Sequence, residues 1–231
     1  MKIECEWGLR GLRHLSPGSD VVVIVDVLSF STAVDVAVDR GGRIYPYPQP
    51  DDGLADFARG VDAELAGRRG ECRYSLSPNC YEDIEPGTRV VLPSPNGATL
   101  SRNAGDGIVF TGCLRNASAV AAAVAEVGEV VAVVPSGERW PEGTLRPALE
   151  DWLGAGAIIR AMGGETTPEA SAAALAFEAM APTLTSVLRD CMSGRELVEA
   201  GYENDVVVAA ALDASQAVPV LTEGAYGARR A

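Results

Sequence analysis

Five charged side chains stand where chemistry is commonly placed in an α/β protein: Asp26, Arg115, Glu138, Glu150 and Asp151. Asp26 directly follows Val21-Val22-Val23-Ile24-Val25. Arg115 follows Ile108-Val109-Phe110, Glu138 follows Val130-Val131-Ala132-Val133-Val134, and Glu150-Asp151 open a helix-forming segment. Carboxylates at strand ends can ligate Mg²⁺ or act as nucleophile or base, and an arginine fork can clamp phosphate or carboxylate oxygens. His14 is the only histidine, which removes most Ser–His and Cys–His schemes. Neither a P-loop nor a Gly-x-Gly-x-x-Gly turn is present. A histidine-poor, carboxylate-rich set with arginines suits Mg²⁺-assisted phosphoryl transfer. In that scheme Asp26, Arg115 and Glu150 are the catalytic candidates, and Asp26, Glu138 and Asp151 the metal ligands.

The phosphate would be met by polar turns. Ser94-Pro95-Asn96-Gly97 follows Val90-Val91-Leu92 and precedes a segment that can be helical, so its backbone amides could face an anion. Ser31 and Thr32 lie in the corresponding turn after the first strand, and Asn116 follows Arg115. Ser94, Asn96, Gly97, Ser31, Thr32 and Asn116 are therefore the candidate phosphate-binding residues. Each has a structural alternative. Asp26 could cap the helix starting near Ser31, Ser94 is a good N-cap with Pro95 at the first helical position, and Asn116 could cap behind a surface arginine. Glu138 could be a solvated loop acid, while acids at a helix start are favourable through the macrodipole. Gly154, on the face beside Glu150, leaves room for a ligand or a closely packed strand.

Strands must position these groups. Val21–Val25 is a β-branched run of the kind buried on both faces, and Arg89–Leu92, Gly107–Phe110 and Val130–Val134 are similar. Helix-like segments at Ser31–Val38 and Asn116–Val127 alternate with them, which predicts an α/β fold with crossovers and a mainly parallel sheet. Val25–Tyr45 and Leu92–Phe110 share a strand–turn–helix–strand pattern that a duplication would explain. The chain reads as a single α/β unit over residues 1–231, divisible into two pseudo-symmetric lobes with a boundary near 110–147. Residues 46–88 read as a surface excursion around one helix, Leu54–Ala66, and the part after Pro147 as three to five helices and a strand at Val218–Leu221.

Composition excludes several classes. A net charge of −13 argues against nucleic acid and against an anionic membrane surface. No uninterrupted run reaches the roughly 18 apolar residues of a membrane span. Five cysteines without a CxxC pair suggest reduced thiols and a cytoplasmic location. Apolar surface on the alanine-rich helices is compatible with a homodimer.

The ordered motifs Asp26-Val27-Leu28, Ser94-Pro95-Asn96-Gly97, Leu114-Arg115-Asn116-Ala117, Gly137-Glu138, Glu150-Asp151…Gly154-Ala155-Gly156-Ala157-Ile158 and Ser193-Gly194-Arg195 resemble the 2-phosphosulfolactate phosphatase family over roughly residues 20–221. That resemblance implies a three-layer α/β/α fold and a Mg²⁺-dependent phosphatase acting on phosphate monoesters of 2-hydroxy acids, with a small phosphorylated metabolite as partner. The family usually carries arginine where Ser29 stands and a second aspartate where Trp152 stands. Arg68, Arg69 or Arg73 could return the positive charge. The alternative to a phosphatase is a non-catalytic anion-binding relative, or a different pathway enzyme on the same fold.

Overall fold

The computed structural model describes residues 1–229. In chain order its elements are β1 (Lys2–Cys5), α1 (Gly8–Leu15), β2 (Val21–Val25), α2 (Phe30–Asp39), β3 (Arg43–Tyr47), α3 (Leu54–Gly60) and β4 (Glu64–Leu65). There follow β5 (Arg89–Pro93), α4 (Gly97–Arg102), β6 (Ile108–Gly112), α5 (Ala117–Ala125), β7 (Val130–Pro135), β8 (Glu138–Arg139) and β9 (Leu145–Arg146). The last part holds α6 (Leu149–Met162), β10 (Glu165–Thr166), α7 (Pro168–Met180), α8 (Leu184–Asp190), α9 (Met192–Glu199), α10 (Glu203–Ala209), β11 (Pro219–Thr222) and β12 (Ala225–Ala228).

Ten strands form one sheet in the order β10-β1-β7-β2-β6-β11-β12-β3-β5-β4, and β8–β9 is a separate hairpin. The fold is α/β with a mostly parallel sheet. β2 lies between β7 and β6, parallel to both, and every residue of it is buried, as its unbroken β-branched run requires. β11 is antiparallel to β6 and β12, and β12 to β3. The β3–β5–β4 set therefore runs against the β2 set, and α2 joins strands of opposite sense rather than a parallel pair.

Alternation along the strands feeds a core on each face. Val21, Val23 and Val25 pack with Leu114, Val120 and Ile158 beneath α5 and α6, and Val22 and Ile24 pack with Leu12 and Leu100 from α1 and α4. This is the three-layer arrangement. α6 and α7 approach so closely that a Cβ on Gly156 would lie 2.1 Å from the Ala173 carbonyl oxygen.

Residues 46–88 run mostly over the surface, as expected, but are anchored in the core. α3 stops at Gly60, β4 adds an edge strand, and Tyr74 and Tyr81 stack with centroids 5.3 Å apart in a core shared with Phe30, Ala33 and Val34. The expectation treated the prolines and glycines as loop punctuation. The tyrosines between them supply the apolar area that anchors the segment. Among the described residues, one helical run, Pro168–Asp190, is long and apolar enough to cross a membrane by length and composition, with mean hydropathy 1.3.

Candidate active site

β2 delivers Asp26 into a turn that its own backbone and side chain organise. Ser31 N–H donates to the Asp26 carbonyl at 2.8 Å, Phe30 N–H to its Oδ1 at 3.1 Å, and Asp26 N–H to Ser31 Oγ at 2.9 Å. The carboxylate thus caps α2. Its other oxygen, Oδ2, accepts the Gly97 N–H at 2.8 Å, so the same group ties the Ser94–Gly97 turn to the end of β2. Glycine is required here: a Cβ at residue 97 would lie 2.4 Å from the Phe30 ring and 2.8 Å from Asp26 Oδ2. The Gly97 amide, expected to face an anion, is committed to Asp26. Ser94 does not cap α4, which starts at Gly97, after Asn96; instead Ser94 Oγ accepts the Asn96 N–H at 3.4 Å.

Four acids occupy one neighbourhood. Asp151 is 3% exposed and accepts Val27 N–H at 2.7 Å through Oδ1 and Gly137 N–H at 2.8 Å through Oδ2. It ties the loops after β2 and β7 together and leaves no oxygen unbonded. Glu150, equally buried in the first turn of α6, accepts the Cys191 thiol at 3.3 Å. Gly154 packs against the strand end, its missing Cβ lying 2.6 Å from Val27 Cγ2. Glu138 accepts Asn96 Nδ2–H at 2.9 Å through Oε2.

Burial and crowding raise the carboxyls of Asp26, Glu138 and Asp151. Asp26 is pushed up to about 7, first by burial and then by the Glu138 charge, against the pull of its two amide donors. Burial likewise raises Glu138, opposed by Asn96 and the nearby Arg146. Asp151 stands well above the usual carboxylate range through burial, with Asp26 and Glu150 adding to it.

Asp26 and Glu138 open onto a cavity of about 180 Å³, whose wall also includes Ser29, Arg69, Ser94 and Asn96. Arg69 is the guanidinium of this wall. It donates to Asp205 Oδ2 at 3.0 Å and to Ser29 Oγ at 2.8 Å. Of the three arginines expected to restore positive charge, Arg69 is the one whose side chain reaches Ser29. Arg146, overlooked in the sequence because it precedes Pro147 with no strand run before it, is buried and pairs with Glu196 at 3.0 Å. Ser193 and Glu196 carry α9 to the same cavity. Ser193 belongs to the Ser193-Gly194-Arg195 motif, so its signal was present but carried no assigned role. Asp205, on α10, is the anchor of Arg69.

Other candidates lie elsewhere. Arg115 is turned toward α2, where its Nε donates to Asp35 Oδ2 at 2.8 Å, because the turn after β6 faces the helix layer. Asn116 is fully buried, accepts Cys113 N–H at 2.9 Å and donates to the Ala217 carbonyl at 3.1 Å. Ser31 shares its hydroxyl with Thr111 at 2.7 Å, and Thr32 donates to the Val27 carbonyl at 2.7 Å. These three hydrogen-bond the interior and do not line the cavity. Trp152 also lies off the cavity wall; it stacks on Trp7 with centroids 5.1 Å apart.

The acids were tested against the metal expected there. Among the described residues, no group of three or more histidine, cysteine, aspartate or glutamate side chains converges as a complete cage. Mg²⁺ needs less, since it takes one or two carboxylates and completes its shell with substrate phosphate and water. Glu138, with Oε2 committed to Asn96, is the hard oxygen donor that suits this role, and Asp26 lies beside it.

A family model for 2-phosphosulpholactate phosphatase matches residues 12–224. The chain belongs to that family. It is 30% identical over 211 residues to the 2-phosphosulfolactate phosphatase of Methanothermobacter thermautotrophicus, covering 90% of this chain and 89% of the relative. It is 31% identical over 211 residues to a probable 2-phosphosulfolactate phosphatase of Gloeobacter violaceus, covering 87% of each chain. A probable 2-phosphosulfolactate phosphatase of Thermus thermophilus is 31% identical over 215 residues, covering 87% of this chain and 88% of the relative. Family members therefore align along nearly their whole length.

Proposed function

We propose that this chain is a Mg²⁺-dependent phosphatase that hydrolyses a small phosphate monoester of the 2-phospho-hydroxy-acid class. The observation that carries the reading is the cavity in which Asp26, Glu138 and Arg69 meet at the ends of β2, β7 and the 66–82 segment, in a chain of this family. Arg69, through the guanidinium nitrogen not committed to Asp205 or Ser29, and the hydroxyls of Ser29 and Ser94 would hold the phosphoryl oxygens. Glu138 would hold Mg²⁺ together with phosphate and water, and the bound ion supplies neutralisation of the charge on the phosphoryl oxygens.

Asp26, with a pKa of about 7, is half ionised near neutrality and is placed to accept a proton. Water bonds to phosphorus while the bond from phosphorus to the ester oxygen breaks. The water proton passes to Asp26, and the leaving oxygen takes a solvent proton to give the alcohol and inorganic phosphate. Asp151 and Glu150 lie behind this surface, holding the loops and α6. They position the site rather than touch the ester.

The test is phosphate release over a panel of small phosphate esters with and without Mg²⁺, repeated with Asp26→Asn. Release that needs Mg²⁺ and collapses in the variant is expected. Undiminished release by Asp26→Asn would remove Asp26 from the mechanism. Binding of phosphate with no turnover of any ester would instead favour the non-catalytic relative.

A further inference from the structure

The cavity with Asp26 has a larger neighbour. A cleft of about 550 Å³ shares Pro95, Asn96 and Glu138 with it, so the Ser94–Gly97 turn and the start of the β8–β9 hairpin form a common wall. The walls of this cleft are largely apolar, built from Trp7, Leu9, Leu100 and Leu145. The Trp7 ring is held by its stack on Trp152. That stack gives Trp152 a place in the cleft's architecture even though it does not line the smaller cavity.

Three arginines surround the apolar walls: Arg10 and Arg13 from α1, and Arg139 from the hairpin. None of the three forms an ion pair among the described residues. In a chain with 32 acidic and 19 basic residues, such a concentration of unpaired cations on one cleft is not what a neutral surface would show. Arg139 does hold the shared wall, donating to the Pro95 carbonyl at 3.0 Å and to Asn96 Oδ1 at 3.3 Å. A second observation points to a ligand. Ser136 lines the same cleft, is 4% exposed, and its hydroxyl has no hydrogen-bond partner. Buried hydroxyls are normally paired, so this one, shielded from solvent at the cleft wall, is left without the partner its burial calls for.

We infer that this cleft binds the leaving-group half of the ester, and that the substrate is a phosphate monoester with an apolar body ending in a second anionic group such as a carboxylate. This rests on the phosphatase reading, since the phosphate is placed in the smaller cavity. The apolar body lies against Trp7 and Leu145, and the distal anion meets Arg10 and Arg13.

Binding decides the inference independently of turnover. The phosphate-free alcohol 4-(hydroxymethyl)benzoate is titrated into the full chain by calorimetry and by fluorescence of the tryptophans, of which Trp7 lines the cleft. Binding is expected, weakened about 10–100-fold in the Arg10→Ala/Arg13→Ala double variant, the range for hydrogen bonds to a charged group. Failure of the alcohol to bind, or equal binding by the double variant, overturns the inference. Hydrolysis then separates the two readings. With 4-carboxybenzyl phosphate and benzyl phosphate, wild type should favour the carboxylated ester by a similar factor, and the double variant should lose that preference. Hydrolysis of both esters without preference also overturns the inference and leaves the phosphatase reading standing. Binding of the alcohol without hydrolysis of any ester overturns the phosphatase reading and with it the cleft's assignment to a leaving group, while the binding of an apolar anion by the cleft stands.

Discussion

Arg69 and Arg115 make nearly the same local structure and do different work. Each guanidinium is mostly buried, at 20% and 15% side-chain exposure, and each pairs through Nε with an aspartate of 2% exposure or less. The difference is in the remaining nitrogens. Arg69 turns one toward Ser29 on the cavity wall, whereas Arg115 turns one toward the Val208 carbonyl between helices. Asp205, the partner of Arg69, is further bonded by Ser77 and Asn79, while Asp35, the partner of Arg115, keeps an oxygen without a partner. A position just after a strand thus does not decide which arginine faces the cavity. The direction of the loop out of the strand does, and Arg69 reaches the site from the other half of the sheet.

Stability and catalysis should separate along this line. Arg115→Ala leaves Asp35 buried and unpaired, so it should cost about 3–5 kcal/mol of unfolding free energy, read from urea denaturation. The protein that remains folded should keep its phosphate release. An Asp35→Leu/Arg115→Met double variant should regain most of the loss, because an apolar pair of similar volume carries no unpaired charge. Arg69→Ala should show the reverse weighting, with kcat/KM lowered about 10²–10³-fold by loss of a donor to the phosphoryl group. Equal activity losses in the two single variants would break the distinction.

The same contrast explains how far the sequence could be read. β2, β5, β6 and β7 are visible because their apolar runs are unbroken, and their ends bring Asp26, Ser94, Asn96 and Glu138 to one cavity. Short or alternating strands such as β1, with two of its four residues buried, carry too little period to be seen. The acid pair Glu150-Asp151 was correctly brought near Asp26, but spacing along a helix does not tell whether a carboxylate faces a cavity or bonds loop amides; Asp151 does the latter with both oxygens. Arg69 was one of three neighbouring arginines in a glycine-rich stretch, and only the burial of Tyr74 and Tyr81 fixes which of them turns inward. Such information is tertiary, and local propensity does not contain it.

A milder break targets the tie between the two strand ends. Gly97→Ala would overpack against Phe30 and Asp26, at an expected cost of about 1–3 kcal/mol. It should also lower phosphate release more than it lowers the denaturation midpoint suggests, because the displaced turn carries Ser94 and Asn96. A variant with normal release would show that the Asp26–Gly97 bond has no part in shaping the cavity.

A pH dependence belongs to Asp26 and not to either arginine pair. Its folded-state pKa of about 7 lies above the ordinary value of 3.8, because burial and Glu138 oppose its charge. The folded protein therefore holds that proton more tightly than the unfolded chain. The stability this contributes is complete below the unfolded pKa and is lost as pH rises through the folded one. In EDTA the urea midpoint should fall between about pH 5 and about pH 8. Asp26→Asn, which cannot ionise, should show a shallower fall over that window, even though its amide meets one backbone N–H with a donor and lowers the midpoint overall. Mg²⁺ should flatten the wild-type curve in the same direction by favouring the ionised carboxylates. An identical slope in wild type and variant would assign the loss to other groups and leave Asp26 ionised in the fold by its two amide donors alone.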